Sequence, residues 1–221
     1  MYRPAAIASL LLLGAVAASA VHAEAVTTYG AGLRSCQAYL AARQGGNGDA
    51  VAFVDWLSGY FSGVNKVSRH RNNFFGLGDL GGAMDWLDQY CSARPRVHFA
   101  EAVGMLLLGA KPGPAAHSLD AASYGSADKS CGTYLEARTQ HDAVYWGAAA
   151  EFTGWLGGYL SGVNAAWLVT TNVLGKAELS DALTWLESYC GAHPGASFGA
   201  AAEVLITADR PFDTDSRAVS R

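Results

Sequence analysis

An internal repeat constrains this chain more than any other feature. Residues 53–65 (FVDWLSGYFSGVN) align with residues 152–164 (FTGWLGGYLSGVN), with nine of thirteen positions identical. At the same offset of 99, Trp86-Leu87 matches Trp185-Leu186, Tyr90-Cys91 matches Tyr189-Cys190, Pro95 matches Pro194 and Phe99 matches Phe198. Upstream the offset is 95: Ser35-Cys36 matches Ser130-Cys131, Tyr39-Leu40 matches Tyr134-Leu135, and Arg43 matches Arg138. A four-residue difference in the loop after the first helix accounts for the change. Self-similarity over this length predicts tandem copies of one small unit. The boundaries fall at 29–108 for module 1, 109–123 for a linker rich in Pro and Gly, 124–208 for module 2, and 209–221 for a polar tail predicted to be mobile.

Each copy carries two of the four cysteines at equivalent places. Four cysteines allow three pairings, and the repeat selects the simplest, Cys36–Cys91 and Cys131–Cys190, one inside each module. Each bridge closes a loop of 55 or 59 residues, for which chain entropy gives roughly 4 kcal/mol. That matters in a unit of about 80 residues, too small to gain much from a single core.

The periodicity inside each copy is helical. Leu179, Leu183, Leu186 and Cys190 recur at spacings of three and four, with Ser180-Asp181 offering caps and Asp79 a counterpart in module 1. Pro95 and Pro194 stand just before the last helix of each copy, where proline is tolerated. The expected class is all-α, with four helices per module: a short one after the first cysteine, a long central one, one ending at the second cysteine, and a last one. Gly59 and Gly63, and in module 2 Gly154, Gly158 and Gly162, recur every four residues of the central helix. Glycine weakens a helix, so this spacing predicts close approach of another helix backbone, with room for a ligand as the alternative. Trp56, Tyr60, Trp155 and Tyr159 share helical spacing and are expected in the core.

The N-terminus reads as a secretory signal over residues 1–23. Arg3 is followed by a short apolar run, Ala5 to Ala18, and then by small residues that suit cleavage after Ala23 or Ala20. The apolar run is short for a membrane anchor, and no second stretch of spanning length follows. The expected location is periplasmic or secreted, where disulfides persist.

Catalytic and metal signatures are not found in the sequence. The six histidines, His22, His70, His98, His117, His141 and His193, form no pair at ligand spacing and none recurs in both copies. Nucleophile elbows, phosphate loops and dinucleotide fingerprints are missing from the sequence, so the expectation is no enzyme, no cofactor and no metal. Asp85 and Asp88 face Thr184 and Glu187 in the alignment and read as a solvated helix surface. A net charge of −4 gives no reason to expect a nucleic-acid partner.

The copies differ in charge. Residues 29–108 hold seven Lys/Arg and six Asp/Glu, whereas residues 124–207 hold three and eight. Lys66, Arg69, His70 and Arg71 follow the central helix of module 1, where module 2 has Ala165, Trp167, Leu168, Val169 and Thr170. This basic-against-apolar contrast reads as drift on a solvated face, as docking between the copies, or as a partner surface.

Residues 130–138 (SCGTYLEAR), 158–164 (GYLSGVN) and 185–194 (WLESYCGAHP) resemble small exported proteobacterial proteins of the HdeA/HdeB type. That resemblance implies a four-helix, one-disulfide periplasmic fold and acid-activated chaperone activity. The last two segments are also similar to the Tai-type amidase-immunity proteins of type VI secretion, which implies binding and blocking of a toxin. The tandem arrangement and the glycine-rich central helix depart from both patterns. The leading expectation is a protein-binding, inhibitory module with another protein as partner and homo-oligomerisation left open. An acid chaperone comes second, and a small enzyme third.

Overall fold

The structure, a computed structural model, describes residues 25–45, 48–68, 80–109, 123–139, 148–167 and 169–208. The signal segment, most of the linker and the C-terminal tail lie outside the described residues, as do Asp79, Arg69, His70, Arg71 and Leu168.

Among the described residues the chain is all-α. The helices are α1 (Cys36–Gly45), α2 (Asp49–Val67), α3 (Leu80–Ala93), α4 (Phe99–Gly109), α5 (Cys131–Thr139), α6 (Ala148–Ala166), α7 (Leu179–Ala192) and α8 (Phe198–Thr207). A 3-10 turn precedes each set of four, at Gly30–Leu33 and Gly125–Asp128. Disulfides join Cys36 to Cys91 and Cys131 to Cys190, tying α1 to α3 and α5 to α7.

Each half has an aromatic core built from matching positions. Tyr39, Phe53, Trp56 and Phe99 pack edge-on or tilted with ring centres 4.8–5.7 Å apart. Tyr134, Phe152, Trp155 and Phe198 repeat the arrangement at 4.9–5.7 Å. All eight side chains are buried, in the offset geometries that aromatic quadrupoles favour. Outside the core, Arg43 pairs with Asp88 at 3.0 Å and Arg138 pairs with Glu187. Asp88 on α3 and Glu187 on α7 thus belong to ion pairs with the first helix of their own half.

Local polar groups finish the helix ends. The first free N–H groups of α1 reach the carbonyls of Val97 and Pro95, both at 2.8 Å, and those of α5 reach Ala196 and Pro194 at 2.8 and 2.9 Å. The two prolines therefore sit four residues ahead of α4 and α8, in turns whose carbonyls cap the first helix of their half. At α7 the Asp181 side chain caps the helix start, as the sequence suggested, and its partner in the capping box is Glu178. The helix begins at Leu179, so Glu178 is the residue before it, and Asp181 reaches back to the Glu178 N–H at 2.8 Å.

The two halves pack together through α2 and α6. These helices run in the same direction: Gly59 lies against Trp155 and Tyr159, and one turn later Gly63 lies against Tyr159 and Val163. Reciprocally, Gly158 lies against Trp56 and Tyr60, and Gly162 against Tyr60. A Cβ at any of these four positions would overlap a backbone carbonyl oxygen of the opposite helix. The neighbour that the glycine spacing requires is the central helix of the other half.

Candidate functional site

Two buried polar positions in the repeated motif position the rest. Ser62 and Ser161, 2% and 1% exposed, each hydrogen-bond back to a carbonyl of their own helix, Ser58 at 2.8 Å and Gly157 at 2.6 Å. Each hydroxyl also accepts a backbone N–H from the other half: Tyr124 donates to Ser62 and Tyr29 donates to Ser161, both at 2.9 Å. The carbonyls of Tyr29 and Tyr124 then accept from the indoles of Trp56 and Trp155, both at 2.7 Å. The segment ahead of each 3-10 turn is therefore a strap that leaves its own core and lies across the partner central helix. Gly30 and Gly125, with φ of 62° and 66°, supply the left-handed turn that follows each strap.

The first strap is held further. Asn164 donates from Nδ2 to the Thr27 carbonyl at 2.9 Å, Thr27 donates to Thr171 at 2.9 Å, and the Tyr29 hydroxyl donates to Asn172 at 2.7 Å. These serines and the asparagine stood in the repeated motif as plain scaffold. Their signal was their recurrence as polar residues on a helix otherwise bound for the core.

Beside the first strap is an open groove of about 430 Å³. Its lining comes from the first strap and the turn after it (Val26, Gly32 and Leu33), from α2 (Tyr60), from the start of α4 (His98 just before it and Glu101 within it) and from α6 (Ser161 and Ala165). Burial pushes the Tyr60 phenol up to about 12, so it remains a protonated hydroxyl at neutral pH. His98 donates from Nδ1 to the Leu33 carbonyl at 2.7 Å, which fixes the ring against the strap.

The equivalent place in the other half is arranged differently. Lys66 of α2, at the position matching Ala165, forms an ion pair with Glu203 of α8. Tyr159 of α6 is buried and its hydroxyl has no hydrogen-bond partner among the described residues. Burial, and then the negative charge of Glu203, raises that phenol well above the usual tyrosine range.

A third polar feature lies nearer the start of the α2–α6 seam. Asp55 is raised to about 6, first by burial and then by the negative charge of Glu151, against the opposing pull of Lys129. Lys129 pairs with Glu151 at 2.5 Å. In the repeat, Asp55 corresponds to Gly154, so this carboxyl has no counterpart.

Of the residues offered as a partner surface, two lie among the described ones. Lys66 is engaged with Glu203 across the two halves, and Trp167 is half-buried against the second core. Arg69, His70, Arg71 and Leu168 lie outside the described residues. Gly59, Gly63, Gly158 and Gly162 line the seam. No group of three or more His, Cys, Asp or Glu side chains among the described residues could hold a metal ion, and none of the described helices is long and apolar enough to cross a membrane. No family model matches this chain, and neither does any curated protein or solved structure.

Proposed function

We propose that this chain is an exported, non-enzymatic protein-binding module of the inhibitor or immunity kind. The observation that carries the reading is the asymmetry of two equivalent places on one scaffold. The core aromatics, the disulfides, the straps and the Arg43–Asp88 and Arg138–Glu187 pairs recur in both halves. Where Lys66 of α2 meets Glu203 of α8, the repeat-related place beside Ala165 of α6 is an open groove. Positions that a scaffold keeps twice serve folding, and those it holds differently are free to serve a partner. The signal-like N-terminus supports a periplasmic or secreted location, as do two disulfides in so short a chain. The similarity of residues 158–164 and 185–194 to Tai-type proteins supports an inhibitory role.

The test is capture from periplasmic extract of the source cell, followed by calorimetry with the purified partner. The reading predicts a discrete, saturable complex whose affinity falls in the Arg69→Ala/Arg71→Ala variant. Failure to find any saturable partner would overturn it. The acid-chaperone alternative predicts instead that the protein suppresses aggregation of unrelated clients at pH 2–3 and exposes apolar surface there.

A further inference from the structure

We infer that the groove between α4, α6 and the first strap is a receptor for a lysine side chain presented by a partner protein. The inference rests on the protein-binding reading and names a site for it. The molecule carries its own template. Lys66, on α2 of the first half, crosses to a carboxylate of the second half, Glu203 on α8, whose charge also acts on the buried Tyr159 phenol. At the groove, the matching position on α6 is Ala165, which contributes a methyl group and leaves the groove open.

The other parts of the clasp have an equivalent or a near neighbour here. Tyr60, which matches Tyr159 in the repeat, lines the groove. A carboxylate again stands on the last helix, Glu101 of α4, one turn before Gly104, the residue that matches Glu203. Positions 101 and 104 share a helix face. The aliphatic lining of Val26, Leu33 and Ala165 suits a tetramethylene stem, which buries its carbons while its ammonium stays in water beside the carboxylate. Val26 and Leu33 are 46% and 56% exposed, large apolar side chains that such a stem would cover. The groove thus offers acid, phenol and apolar lining without a lysine at position 165. Two of the other occupants that one could imagine fit less well: an acidic side chain would face Glu101, and an apolar one would leave that carboxylate without a partner.

The test uses the whole mature chain and the probe Ac-Ala-Ala-Lys-Ala-Ala-NH2, followed by amide chemical shifts. Saturable shifts centred on Leu33, Glu101 and Ala165 are expected. The norleucine analogue should bind about tenfold more weakly, the loss typical of removing a charge-assisted hydrogen bond. Because Glu101 is exposed, Glu101→Gln should weaken the lysine probe by about fivefold. Ala165→Lys should occupy the groove from within and abolish binding while the chain stays folded. Equal binding of the norleucine probe, or unchanged binding by both variants, would overturn the inference. Cadaverine binding more tightly than the peptide would overturn the assignment to a protein lysine. If the probe fails while a partner is still captured, the groove assignment falls and the protein-binding reading stands. If the probe binds as expected and no partner is captured, the site stands and that reading falls.

Discussion

At the scale of single residues, the glycines separate into two kinds. Gly59 and Gly158 face a backbone carbonyl of the opposing helix, and no side chain can be accommodated there without parting α2 from α6. Gly59→Ala or Gly158→Ala should each destabilise the protein by about 2–3 kcal/mol or more, the upper part of the range for forced overpacking. Gly104 is also helical, yet a Cβ there meets nothing within 4 Å. Gly104→Ala should therefore stabilise by about 0.5–1 kcal/mol through helix propensity alone. Urea denaturation of the three variants checks both signs.

Asp55 gives a prediction in pH at the same scale. Its native carboxyl holds a proton up to about 6, above its ordinary value of 3.8. The native state therefore binds more protons than the unfolded state between those values, and this group's contribution falls as pH rises through that window. Asp55→Asn should remove the dependence, so its stability advantage over wild type should grow from pH 4 to pH 7 and then level off. Denaturation midpoints measured across that range decide it, and an advantage that shrinks on raising the pH would contradict the account.

Among elements, the disulfides and the straps act on different costs. Each bridge joins the first and third helices of its half, and removing one as a Cys→Ser pair should cost about 2–4 kcal/mol, chiefly through the freed unfolded chain. The straps act in the native state. Ser161→Ala deletes the acceptor for the Tyr29 N–H and leaves that partly buried donor without it, at a cost of about 1–3 kcal/mol. Amides of residues 27–32 should lose hydrogen-exchange protection in that variant.

Much of this level was legible in the chain. The repeat pairs the cysteines, places a helix after each first cysteine and spaces the seam glycines. The straps were not legible, because Tyr29 and Ser161 are 132 residues apart and a Ser on a helix carries no address. At α7 the capping side chain of Asp181 was legible from local pattern, whereas Glu178, its partner in the capping box, was not. Lys66 was read with the cationic run that follows it. Its partner Glu203 lies in the other half, at a position whose repeat counterpart is glycine, so self-comparison has no means of pairing them.

For the whole molecule, the halves are interlocked and do not merely follow one another along the chain. Each central helix supplies the surface on which the other half lays its strap, and each Trp holds the strap of its own half in place. The parallel seam of α2 and α6 binds two small cores, each of which would be marginal alone, into one cooperative unit. The groove follows from this arrangement, for its walls come from both halves. Its openness depends on Ala165 standing where the repeat elsewhere has Lys66.

Hydrogen exchange on the disulfide-intact Gly59→Leu variant tests this interlocking most directly. The substitution lies in the first half and strikes the backbone of α6 in the second. The account predicts that amides of α7 and α8 lose protection together with those of α3 and α4. Faster exchange confined to α1–α4, with α5–α8 as protected as in the wild type, would contradict it.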